Sequence, residues 1–224
     1  MIVLPTSLRF ALAAFLATTA LTCGRPASAG FIASDLGPSG SFDANAGYTL
    51  SGPAAPGGVG YGLAVKFKNS DTSSVVFGSA QLALQFHTGA NALKVLLVAD
   101  SAGLPGATLE TISLSNIATG PSLVTASSSV GTLLAPGMTY WLAAVASSDT
   151  FMTWNANNQG QMNGLAYRVD HGSGPQAWQS ASGNPDVAFS ISPLSIPAPP
   201  SLVLLGSGLA TLGFSLVGRW RRRA

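Results

Sequence analysis

The sequence predicts an all-β fold, an antiparallel β-sandwich of jelly-roll-like type, flanked by two ends that do not belong to it. Three observations predict it. Apolar residues alternate with period two along the middle of the chain. Turn-forming clusters return roughly every dozen residues, and no long helical pattern lies between them. The body, residues 30–196, has no cysteine. At roughly 165 residues it is long enough to bury a core without covalent staples.

Residues 1–29 read as a secretory signal peptide. One early cation, Arg9, precedes an apolar stretch over 10–21. Ala27, Ser28 and Ala29 then supply the small residues for a cut before Gly30. The apolar stretch is short for a membrane span, which needs about 20 residues. The Sec export machinery and a signal peptidase are therefore expected as transient partners. Cys23 is the only cysteine, and it stands outside a lipoprotein context because Ala20 and Thr22 precede it. It leaves with the signal, so disulfides and Cys-ligated metals are excluded from the body.

The strands follow from their alternation. "LAVKF" puts Leu63, Val65 and Phe67 on one face and Ala64 and Lys66 on the other. "QLALQF" sets Leu82, Leu84 and Phe86 against Gln81, Ala83 and Gln85. "LAYRVD" directs Leu165, Tyr167 and Val169 inward and Ala166, Arg168 and Asp170 outward; "DVAFSIS" does the same with Val187, Phe189 and Ile191 against Ala188 and Ser190. One-sided alternation marks strands with a core face and a wet face. "LKVLLVAD" and "TYWLAAVAS" are apolar on both faces and belong in the middle of a sheet. In "LPG", Pro105 and Gly106 suit the centre of a type II turn.

The last segment, 197–224, has Pro197, Ala198 and Pro199, then an uncharged run over 201–217, then Trp220 among Arg219, Arg221, Arg222 and Arg223. As a helix the run spans about 26 Å, close to the roughly 30 Å hydrocarbon core. The arginines stay on the cytoplasmic side, which puts the body outside. A single-span anchor and a sorting tail that is removed both fit. In its order of parts the segment resembles the PEP-CTERM sorting tail of Gram-negative bacteria. That resemblance implies recognition and cleavage by an exosortase, a membrane-embedded protease, in systems that accompany exopolysaccharide. The tail departs from the family pattern at Ala198, where a glutamate is usual. The body also resembles a known group. "SFDANAGYTLSG", "LKVLLVADSAGLPGATLET", "LLAPGMTYWLAAVA" and "PDVAFSI" are similar to the choice-of-anchor R domain. This resemblance implies an exported β-rich module and brings no catalytic residues.

Charge and chemistry exclude more than they assign. The chain carries +2 overall, but six of its ten cations lie in the two ends. The body keeps Lys66, Lys68, Lys94 and Arg168 against all eight carboxylates, a net −4. A nucleic-acid partner would need a basic stripe, and there is none. No metal site or cofactor is expected, because His87 and His171 stand far apart and no acidic repeat occurs. Asp100 reads as a turn residue. A hydrolase is disfavoured: there is no G-x-S-x-G elbow, Asp170 and His171 sit in a glycine-rich turn, and Glu110 is the only glutamate. The expected function is that of a non-enzymatic exported surface or extracellular-matrix protein. The alternative is a carbohydrate-binding module using Trp154, Tyr167 and Trp178, which adjoin Asn- and Gln-bearing loops and could stack on the polymer's sugar rings. Core or rim packing is the competing account of those aromatics.

Overall fold

The computed structural model describes residues 30–194. The expected signal peptide, the Pro-Ala-Pro motif, the apolar run and the arginine cluster lie outside the described residues. Those residues form an all-β structure with a large antiparallel sheet. They contain no α-helix, only the 3-10 turn Pro38–Gly40, and no helix long and apolar enough to cross a membrane.

The strands in chain order are β1 (Ala33–Ser34), β2 (Asp43–Ser51), β3 (Gly60–Lys68), β4 (Val75–Thr88) and β5 (Ala92–Ser101). Next come β6 (Leu104–Ser115), β7 (Ser122–Ser127), β8 (Leu133–Leu134) and β9 (Thr139–Ala146). The last four are β10 (Phe151–Ala156), β11 (Leu165–Asp170), β12 (Gln179–Ser180) and β13 (Phe189–Pro193). Their hydrogen bonds divide into two arms. In the first, β4 is the spine, with β13 and β10 along one edge and β7 and β8 along the other. β1 extends β13, and β2 extends β10. The second arm runs β12, β11, β3, β9, β5, β6. A single pair, Ser51 with Tyr61, joins β2 of one arm to β3 of the other.

The two arms face each other. Leu50, Leu82, Met152 and Trp154 from the first share one buried cluster with Leu63, Val65, Leu142 and Leu165 from the second. Phe67 and Phe189 lie far apart in pairing order, yet their rings meet across this interior at 6.4 Å. Burying each such large side chain contributes about 1.5–3 kcal/mol, which is why Leu, Val, Ile and Phe dominate the inward phase of the long strands. β9 lies between β3 and β5, and β5 between β9 and β6, as their two-sided apolar character requires.

The outward phase departs from expectation in places. Ala64 and Ala166 are fully buried rather than wet. Short alanines leave a trough on the outer face of the second arm, and Trp141 and Val98 fill it, with Trp178 packed alongside. Lys66 and Arg168 close this patch by lying over the rings of Trp141 and Trp178, at 5.9 and 4.8 Å from the centroids. On the first arm Ala83, Ala188 and Ser190 are buried as well.

The turn expected at Pro105 and Gly106 is also displaced. Both residues lie inside β6, and the hairpin turns on Ala102 and Gly103, with φ of 53° and 84°. Two positive φ values make a type I′ turn, whose twist matches that of the flanking strands. Pro105 is tolerated because β6 is an edge strand.

Candidate functional site

The three aromatics singled out from the sequence do not converge. Trp154 stands in β10 on the inward phase with Met152, 0% exposed, and its indole N–H donates to the Ala188 carbonyl at 3.0 Å. Its register partners are Tyr48 and Leu84 on the flanking strands. It is a core residue, not a loop platform. Tyr167 and Trp178 are half-buried. Tyr167 packs against the main core beside Leu165, whereas Trp178 packs on the outer face against Arg168.

Tyr167 instead belongs to a different group. A groove of about 460 Å³ opens where β2 of the first arm approaches β3 and β11 of the second. Tyr48, Tyr61 and Tyr167 line it, with Leu63 and Leu165 between them and Asn184 at the side. The gap has a plain origin. The arms pair through Ser51 and Tyr61 alone, so no ladder closes the space between β2 and β11. The Ser51 hydroxyl strengthens that joint, donating to the Val59 carbonyl at 2.8 Å and accepting from the Tyr61 N–H at 3.1 Å.

Two of the tyrosines are fixed by their hydroxyls. Tyr48 donates to the Pro185 carbonyl at 2.7 Å, and Tyr167 to Oε1 of Gln179 at 2.8 Å. Burial, aided by the charge of Asp186, pushes the Tyr48 hydroxyl up from its ordinary value, in keeping with its role as a donor. Tyr61 is 38% exposed at the rim. No charged residue lines the groove.

A second polar constellation joins distant parts of the chain. Asp35, just after β1, and Asp186, just before β13, are 6% and 0% exposed. Asn163 bridges them: its amide donates to Asp35 at 3.2 Å and its backbone N–H to Asp186. The Gly164 N–H also donates to Asp186, at 3.2 Å. Burial pushes the Asp35 carboxyl up to about 6, and the charge of Asp186 adds to this against the Asn163 hydrogen bond. Asp186 is pushed up by burial too, opposed by the Asn163 and Gly164 hydrogen bonds and by Lys66. Lys66 and Lys68 line the adjoining polar groove of about 490 Å³.

Several other titratable groups are engaged locally. Asp170 accepts from the N–H groups of Gly172 and Gly174 at 2.8 and 3.1 Å, an Asx-type turn, and His171 is exposed beside it. Asp100 accepts from Gly103 in the hairpin turn and from the Trp141 indole. His87 meets the Thr153 hydroxyl at 2.8 Å. Among the described residues no group of three or more His, Cys, Asp or Glu is placed to hold a metal.

Tyr48, Tyr61, Asp35, Asp186 and Asn163 were not identified from the sequence. The two tyrosines had a usable signal: Tyr48 is in phase with the core residue Leu50 and Tyr61 with Leu63. Comparison with protein-family models, with curated proteins and with solved structures finds no match.

Proposed function

We propose that this chain is a non-enzymatic protein exported to the cell surface or extracellular matrix. On this reading its body is a jelly-roll-like β-sandwich, released from a signal peptide at Gly30 and sorted through its C-terminal segment by an exosortase-type protease. The carrying observation is the order of parts in 197–224 behind an A-x-A signal: Pro197, Ala198 and Pro199, an apolar run, then Arg219, Arg221, Arg222 and Arg223.

The fold supports this reading in one respect. β1 begins at Ala33 and pairs antiparallel with β13, which ends at Pro193, with Ala33 opposite Ile191. Both proposed cuts therefore fall outside every described strand, and processing leaves the hydrogen-bonded body whole. A carbohydrate-binding role is the second reading; the tyrosine groove favours it, although Trp154 contributes nothing to such a surface.

Intact-mass analysis of the protein from its native host tests the proposal, with membrane and released fractions kept apart. A chain running from Gly30 to a residue between 197 and 201 is the expected result. A chain still ending at Ala224 in the inner membrane would make the tail a plain anchor and overturn sorting.

A further inference from the structure

We propose that the groove between Tyr48, Tyr61 and Tyr167 is a binding site for a segment of neutral polysaccharide. Three of the chain's four tyrosines converge there from β2, β3 and β11, strands that belong to both arms. The main core is otherwise built from aliphatic residues, Phe and Trp with Tyr140 at its margin, so this concentration of phenol rings is local.

The chemistry of the lining selects the ligand class. Its rings and leucines offer an apolar surface, and the Tyr61 hydroxyl can donate and accept. The Tyr48 and Tyr167 hydroxyls, whose protons go to Pro185 and Gln179, and the Asn184 amide, which donates to Ala181, keep acceptor capacity around it. A pyranose has the complementary character, with C–H faces to lay on a ring and hydroxyls at its perimeter. A wholly apolar ligand would strip water from those polar groups without replacing their hydrogen bonds. An anionic polymer would find no cation in the groove, on a body that carries −4 overall. The groove's 460 Å³ lies within the span of about 300–1,000 Å³ typical of small-molecule sites.

Preorganisation supports the same assignment. The Tyr48 and Tyr167 hydroxyls are already bonded to Pro185 and Gln179, so both rings are held before a ligand arrives. Tyr61 is exposed at the rim and gains a partner on binding. The inference draws on the export reading only for where the polymer is met. Binding in solution needs no export, so either can fail without the other.

The test is calorimetric titration of the full chain in lauryldimethylamine-oxide micelles, a detergent without a sugar headgroup. The probes are neutral hexasaccharides of glucose, galactose and mannose, with a hexagalacturonate as the charged counterpart. At least one neutral probe is expected to bind, and more tightly than the galacturonate. Tyr61→Ala should weaken it about tenfold, the loss of one ring contact. Tyr61→Phe keeps the ring and should stay within about threefold. Gly120→Ala, outside the groove lining and with open space around its Cβ, should bind like the parent. Should Tyr61→Ala fail to fold, Asn184→Ala carries the same expectation of weaker binding. The proposal is overturned if no neutral probe binds up to about 10 mM. Unchanged binding in the folded Tyr61 and Asn184 variants, or a preference for the galacturonate, also overturns it.

Discussion

Glu110 is the single glutamate of the chain, and it keeps its charge at 4% exposure on an edge strand. Burial alone would push its carboxyl up, yet it is held below the ordinary glutamate value because hydrogen bonds outweigh that cost. The Ser128 and Thr132 hydroxyls donate to it at 2.8 and 3.0 Å, and the N–H groups of Ser129 and Val130 at 3.1 and 3.3 Å. The carboxylate thus clasps β6 of one arm to the segment that links β7 to β8 in the other. Glu110→Gln should cost about 2–3 kcal/mol at neutral pH, because charged acceptors are worth more and the new amide would face donors. Urea unfolding measures this. The sign with pH is that of a depressed carboxyl: its contribution is present above the unfolded-state value and is lost as pH falls through the folded one. The gap between parent and variant should therefore narrow on acidification. A gap that stays constant down to the acid limit would mean that the carboxylate charge contributes nothing.

β4 shows how a strand can serve a core that its alternation alone would miss. Ser79 pairs with Ser192 and Phe77 with Pro193, which leaves Gly78 as an extra residue, and the resulting bulge returns Phe77 to the interior with Ala80 and Leu82. A Cβ at position 78 would stand 2.5 Å from the Leu194 nitrogen and 2.6 Å from the Pro193 carbonyl carbon. Gly78→Ala should therefore cost about 1–3 kcal/mol in thermal or urea unfolding. Gly120→Ala, where a Cβ meets nothing within 4 Å, should be close to neutral. Equal effects from the two would remove the steric account. The bulge was not legible in the sequence, because "VVFGSA" has no pattern that separates a bulge from a plain strand. The central places of β5 and β9 were legible, since residues apolar on both faces need cover on both. Pro105 and Gly106 misled for a definite reason. A local turn preference lost to the twist of β5 and β6, which Ala102 and Gly103 satisfy. For the candidate groove, Tyr167 was visible as an inward residue of β11. Its meeting with Tyr48 and Tyr61 depends on how the two arms pair, which no local pattern records.

The carboxyl pair Asp35 and Asp186 ties together three parts of the chain that are remote in sequence: the end of β1, the segment around Asn163 and the entry to β13. β1 and β13 lie side by side at the two ends of the described residues, so this pair ties those two ends together. The charge of Asp186 disfavours a second charge on the buried Asp35, and the other charged or titratable groups acting on the pair are Lys66 from β3 and Tyr48 from β2. The folded Asp35 titrates at about 6 against an ordinary 3.8, so the folded state holds a proton that the unfolded chain has released between those values. Its contribution to stability is therefore full below the unfolded value and is lost as pH rises through about 6, opposite in sign to that of Glu110. Asp35→Asn removes the titration and keeps the size. Relative to the parent, the variant should gain stability between about pH 4.5 and about pH 7.5, read from urea midpoints at the two values. The same difference at both pH values would mean that Asp35 does not titrate in this window. In that case the joint between the ends of the described residues would be held by the Asn163 hydrogen bonds regardless of its protonation.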